Sequence, residues 1–514
     1  MPLFPYSPIS LFPTMRLTPY PILLILITLS GCSKKKTELA WEKNFPAIGS
    51  QSSPMATDLN GDGTFDIVIG AGKNEYQYSK QGILAIDGAN GDVLWEQEAQ
   101  DQVYASATFC DITGDGVKDV FIGGRSPHLR ALDGSNGQVI WAYEYQYESD
   151  PVLKHARFNF QNSVIVPDQN GDGIDDLLIV NGGNAKAPPN NEEDRYPGVL
   201  MLFDSKTGDI FAADTMPDGK ESYMAPLSFR QHGSDDHTIV FGTGGETIEG
   251  KLYITTLSDL MNGDISSARV IASEVGHGFI APPVAADINL DGYLDIIAIS
   301  HASSIFAIDG RTLEPLWKQK IEDTESSNSF AVGYFSGDDD VPDFFTFVSK
   351  GEWPNNTGTL EVMLDGRTGD VVYRAEMGCT GFSSPVVYDL NGDGNDEAIL
   401  SINEFECSKG FVAQTIPEIE NKLIAIDFRR RSVNIVDQSK GFKNIFSTPW
   451  IGDLDDDGYL DIVYFQYYSR GGLLTFLGMR ARRISTHVRI RNQPPVWGAY
   501  RGSAGDGVFR DSGQ

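Results

Sequence analysis

The chain has 514 residues, a formal net charge of −31, 41% hydrophobic residues and 54 glycines. So acidic a balance argues against a nucleic-acid-binding protein, because phosphate contacts need lysine and arginine. The length allows a sizeable core, and the glycine content suits a turn-rich all-β chain.

Ile22 to Cys32 is an apolar run too short to cross a bilayer as a helix, and it ends in small residues before a cysteine. Leu29-Ser30-Gly31-Cys32 resembles the bacterial lipobox, which implies acylation of Cys32 after cleavage. Residues 1–32 are therefore expected to be a lipoprotein signal peptide, with Met15 as an alternative start, and residues 33–39 a polar tether. Ser33 rather than Asp after the cysteine resembles sorting to the outer membrane, with the chain facing the periplasm or the cell surface.

Asp58-Leu59-Asn60-Gly61-Asp62-Gly63-Thr64-Phe65-Asp66 is the first of six acidic nonapeptides, spaced by roughly 50 to 70 residues where no unit lacks the motif. Side-chain oxygens at positions 1, 3, 5 and 9, with a carbonyl from position 7, suit a hard cation such as calcium. The expected ligands of the first loop are Asp58, Asn60, Asp62, Thr64 and Asp66, and of the second Asp111, Thr113, Asp115, Val117 and Asp119. The third loop offers Asp168, Asn170, Asp172, Ile174 and Asp176, and the fourth Asp287, Asn289, Asp291, Tyr293 and Asp295. The last two offer Asp389, Asn391, Asp393, Asn395 and Glu397, then Asp453, Asp455, Asp457, Tyr459 and Asp461. An EF-hand is excluded: position 12, which should be Glu, is Ile69, Ile122, Ile179, Ala298, Leu400 or Tyr464. Each motif also runs into a β-type apolar stretch such as Asp66-Ile67-Val68-Ile69 instead of a helix. The competing reading is a set of acidic turns that hold no metal.

A second motif follows most loops. Ala85 to Trp95 contains an Asp-Gly and an Asn-Gly step between two apolar runs, and it recurs as Ala131 to Trp141 and Ala307 to Trp317. Weaker versions end at Phe211 and Tyr373. Each reads as a hairpin whose closing aromatic packs between repeats. Loop and hairpin together give four strands per unit, which predicts an all-β, eight-bladed β-propeller of four-stranded blades over residues 40–493, with seven blades as the alternative. Residues 225–257 have the strands without the acidic set, and residues 330–373 keep only Asp339 and Asp343 of theirs. Residues 494–514 form a C-terminal tail.

The acidic loops resemble the FG-GAP/VCBS repeats of integrin α-subunit propellers, and the hairpins resemble the repeats of bacterial PQQ-like propellers. The tail segment Trp497-Gly498-Ala499-Tyr500-Arg501-Gly502 resembles the closing segment of that second group. The likeness covers about residues 40–500 and speaks to fold, since one fold hosts many activities.

Little points to catalysis. There is no Cys-Cys pair, nucleophile elbow or phosphate loop, and His277, His301 and His487 show no metal-ligand spacing. The hairpin repeat does not imply bound PQQ. A binding site is expected opposite the calcium loops, on loops leading into the inner strands or joining second to third strands. The aromatics there are Tyr76, Tyr78, Tyr196, Phe279 and Trp353, which either stack on a ligand or pack their own loops. Cys379 and Cys407 fall in one blade on the same face and form a candidate disulfide. Cys110 reads as an apolar core residue. Arg480, Arg482, Arg483, Arg489 and Arg491 read either as a solvated edge or as a docking patch for an acidic partner. The sequence thus predicts a monomeric, lipid-anchored outer-membrane propeller with about six calcium ions, binding an envelope protein or glycan without chemistry of its own. The rival class is a polysaccharide lyase or PQQ-dependent oxidoreductase.

Overall fold

The computed structural model describes residues 37–337, 339–353, 355–409, 419–469, 475–490 and 494–510. The signal peptide, the lipobox with Cys32, and Arg491 lie outside the described residues. Among those described, no helix is long and apolar enough to cross a membrane.

Eight antiparallel sheets follow one another along the chain, making an eight-bladed propeller. Blades 1 to 7 begin with the inner strands at Met55, Thr108, Asn159, Leu227, Val284, Thr324 and Val386. Blade 8 takes its three inner strands from Trp450–Gly452, Tyr459–Tyr468 and Gly478–Arg489, and its outer strand from Glu38–Pro46. The N-terminal strand thus closes the ring against the last blade, with Phe45 opposite Met479. It begins at Glu38, inside the segment expected to be tether, because Trp41 and Phe45 find buried positions there.

The second strand of each unit lies between neighbouring sheets and is largely buried. Asp66–Gly70, Asp119–Gly124 and Asp295–Ile299 are buried at every residue. Outer strands such as Val93–Ala99 alternate between exposed and covered positions, since one face meets water. Residues 225–257, which lack an acidic loop, supply three strands of a full blade, and a short helix at Leu257–Met261 leads to its outer strand at Arg269–Glu274.

The hairpin aromatics do pack between blades. Trp41 Nε1 donates to Gly88 O at 2.8 Å, Trp95 Nε1 to Gly134 O at 2.8 Å, and Trp317 Nε1 to Gly366 O at 2.9 Å. Each bond runs from the outer strand of one blade to the hairpin of the next. The indole of Trp95 lies so close to Gly137 that a Cβ there would meet it at 2.5 Å, and Gly137 has φ of 75°; both conditions call for glycine.

The C-terminal tail runs across the inner strands instead of hanging free. Ala285 N donates to Gly507 O and Phe509 N to Ala285 O in blade 5, while Val387 N donates to Trp497 O in blade 7. Ile451 N donates to Gly498 O in blade 8. The tail therefore satisfies inner-edge backbone groups that would otherwise be left open.

Candidate functional site: acidic loops and an axial funnel

The acidic loops are wound on their own side chains. Asp58 accepts from Gly61 N at 2.7 Å and Gly63 N at 3.0 Å, Asn60 accepts from Asp62 N, and Asp62 accepts from Thr64 N. Corresponding bonds recur around Asp111, Asp168, Asp287, Asp389 and Asp453. The exposed oxygens at positions 1, 3 and 5 are thereby gathered on one turn, and in blade 8 Asp453, Asp455 and Asp457 bring carboxylate oxygens within 4.8 Å of one another. This oxygen-only donor set fits calcium.

Position 9 is different. Asp66 is buried and accepts from Leu59 N at 2.9 Å and from Gly88 N in the hairpin at 3.1 Å. Asp119 does the same with Ile112 and Gly134, and Asp295 with Ile288 and Gly310. Asp343 keeps this arrangement, accepting from Phe335 N and Gly366 N, although Phe335 and Gly337 stand where its loop should carry ligands. The position-9 carboxylate is thus a brace between loop and hairpin; in Asp66 and Asp295 each oxygen accepts one N–H and keeps a lone pair that a cation can use, whereas Asp119 Oδ2 already accepts from both Ile112 N and Thr113 N. Burial pushes the carboxyls of Asp66, Asp176 and Asp295 up to about 6 and that of Glu397 to about 7, against the pull of the N–H donors.

A cavity of about 460 Å³ is lined by residues of all eight blades, which places it on the propeller axis. Loops leading into the inner strands supply Gln51, Tyr104, Gln161, Tyr223, Phe382 and Phe446. Loops joining second to third strands supply Glu75, Arg125, Arg195, Glu246, His301 and Trp353. Tyr500 of the tail lines it as well.

Three basic side chains of the funnel lie beside carboxylates. Arg125 pairs with Glu75 at 2.5 Å, Arg195 with the fully buried Glu221 at 3.1 Å, and His301 Nε2 lies 3.7 Å from Glu325. Burial raises the Glu221 carboxyl while Arg195 opposes the shift; burial likewise raises Glu325, but the His301 beside it leaves that carboxyl below its usual range. Burial holds the hydroxyls of Tyr104 and Tyr223 protonated. On the side of blades 6 to 8 the wall is aromatic: Trp353 meets Phe382 edge-on at 5.7 Å, and Phe382 stacks on Phe446 at 5.6 Å.

Of the five aromatics proposed from sequence, Trp353 alone lines this cavity. Phe279 is fully buried beside Phe306 and cannot meet a ligand, because the glycine-rich turn that precedes it carries its ring inward. Tyr196 is committed to Phe158 and Arg157, Tyr76 to Lys186, and Tyr78 to Glu98. The contacts of Tyr76 and Tyr78 reach beyond their own loops, to the blade 3 loop and to the outer strand of blade 1. Arg125, Arg195, Gln161, Tyr104 and His301 carry no motif; the signal open to sequence reading was their place just before an inner strand or just after a second one.

Cys379 and Cys407 are joined by a disulfide, with Cα atoms 5.0 Å apart. Cys110 is a half-buried free cysteine whose thiol burial pushes up to about 11. Arg480, Arg482 and Arg483 form neither a solvated edge nor a free basic patch, while Arg489 is exposed beside Tyr459. Arg480 and Arg482 lie against Glu42, Arg482 also reaches Asp437, and Arg483 contacts Asp455 and Asp461.

The FAM234A/B beta-propeller family model matches residues 79–235, less than half of the chain. No curated protein matches the sequence. Among solved structures, a europium-containing methanol dehydrogenase is similar over 87% of this chain and 93% of its own, with 10% identity and a TM-score of 0.57. BamB from Moraxella catarrhalis aligns over 87% and 99% at 11% identity and a TM-score of 0.47. A rhamnogalacturonan lyase from Bacillus licheniformis aligns over 90% and 93% at 12% identity and a TM-score of 0.42. The chain is a β-propeller. At such identities the likeness to the dehydrogenase extends to the fold alone.

Proposed function

We propose that the protein is a lipid-anchored, calcium-binding propeller of the bacterial cell envelope that recognises a protein or glycan in its axial funnel and does no chemistry itself. The observation that carries this reading is an axial cavity to which every blade contributes, walled by paired charges on one side and aromatics on the other. Pockets of this size with a few convergent polar groups are the usual form of a binding site. Calcium would stiffen the loops that tie each second strand to its hairpin. Acylation at Cys32 would supply the membrane anchor, since acyl chains add membrane affinity. Photo-crosslinkers at the Tyr104 and Trp353 positions in native envelope test the reading: they should capture a partner that crosslinkers on the outer strands do not. Cys32→Ser should release the protein from membranes under carbonate extraction.

An enzymatic reading has one observation in its favour, the buried His301 beside Glu325 at the funnel wall. A PQQ titration followed by absorbance and a product analysis on envelope polysaccharides separate it from recognition.

A further inference from the structure

The funnel's polar groups come in matched sets of donors and acceptors. Arg125 Nε, Arg195 Nε and His301 Nε2 are buried atoms of lining residues with no hydrogen-bond acceptor. Gln161 Nε2 is a fourth, near the Tyr104 hydroxyl but without a hydrogen bond of standard geometry. Gln161 is 6% exposed and His301 3%, so bulk water does not satisfy them and their open donors call for a ligand or an ordered water. Acceptors stand beside them: Glu75 and Glu325 line the same cavity, and Glu246 adds a carboxylate at the rim that forms no ion pair among the described residues.

Charge decides what such a wall can hold. Arg125, Arg195 and His301 each already face a carboxylate, and Glu246 is in excess. An anion would therefore enter a site with no spare positive charge, inside a chain of net charge −31. A cation would find Glu246 but would leave the unpartnered N–H groups without an acceptor. An uncharged group whose atoms both donate and accept suits both sets, and a hydroxyl is that group. The opposite wall of Trp353, Phe382 and Phe446 offers flat apolar area, which suits a ring with a C–H face.

We infer that the funnel takes a neutral, polyhydroxylated sugar ring, its hydroxyls bridging the Arg125–Glu75 and His301–Glu325 pairs and one face lying on the aromatic wall. The inference rests on the recognition reading and narrows it to uncharged saccharide. Because no net charge is exchanged on binding, affinity should depend little on salt.

The test is an array of neutral oligosaccharides printed beside their uronic-acid counterparts, with calorimetry on the best binder at low and high salt. A neutral saccharide should bind with nearly salt-independent affinity. Trp353→Ala and Gln161→Leu should each weaken it by about fivefold or more in protein whose melting curve shows it still folded at the assay temperature. Preference for the uronic-acid series with a steep salt dependence would overturn the inference while leaving recognition intact. So would binding that survives both substitutions. If no saccharide binds but the Tyr104 crosslinker captures an envelope protein, the sugar is wrong and recognition stands; if neither occurs, both fall.

Discussion

The guanidinium of Arg483 lies 2.8 Å from the buried carboxylate of Asp461 and also contacts Asp455. These are positions 9 and 3 of the blade 8 loop, so a guanidinium bridges them here, whereas the cations beside the blade 3 and blade 7 loops, Lys206 and Arg430, reach position 5. Arg483 faces Val463 across the sheet, where blades 1, 2 and 5 carry Ala85, Ala131 and Ala307. Blade 8 also lacks an Asp-Gly hairpin, and Ser485 with Arg483 replaces the glycine N–H that braces position 9 elsewhere.

Arg483→Met should therefore act through the metal. Without calcium it leaves Asp461 buried beside Asp455 with no counter-charge and should cost about 3–5 kcal/mol. Saturating calcium should recover much of that loss, because the freed carboxylates gain a divalent partner. Denaturation midpoints with calcium and with chelator give the comparison; equal losses in both would show that the guanidinium and the cation do not share the loop.

Positions 5 and 9 of the first loop should separate in the same assay. Asp66→Ala strands the buried N–H groups of Leu59 and Gly88, so it should destabilise by about 1–3 kcal/mol per group even in chelator. Asp62 is exposed and holds only its own turn, so Asp62→Ala should matter little in chelator and should remove most of that loop's calcium response.

Glu361 gives a pH dependence unrelated to the loops. It is fully buried on the third strand of blade 6, with Thr359 Oγ1 donating to it at 2.9 Å, and burial raises its carboxyl to about 8. The folded chain keeps this proton while the unfolded chain releases it above the ordinary value of 4.5. Its contribution is therefore complete below pH 4.5 and is lost as pH rises toward 8, by up to about 1.4 kcal/mol per unit. Glu361→Gln should flatten that part of the stability profile, measured by thermal melts across the range.

The inter-blade tryptophans should be graded. Trp95→Phe loses the 2.8 Å bond to Gly134 and should cost about 1 kcal/mol, whereas Trp95→Ala empties the space over Gly137 and should cost about 3–5 kcal/mol. Chemical denaturation of the two variants measures the difference.

The repeat, the four strands per blade and the packing role of Trp95 were legible in the sequence because their causes are local. Glycine at fixed steps turns the loop, apolar runs make strands flanked by sheets on both faces, and the Asp-Gly step closes the hairpin. Even blade 4, with no acidic loop, kept enough of that pattern to be counted. The funnel was decided by tertiary structure. Closing the ring brings Glu75, Arg125, Arg195 and His301 from four different blades to one axis, and nothing in their spacing says which side chains will face it. The same holds for Phe279, whose neighbours gave no sign that its ring turns inward, and for Arg483, which looked like one of several surface arginines until the sheet set it beside Asp461. Local chemistry specifies each blade; the site arises only where blades distant in sequence are forced to meet.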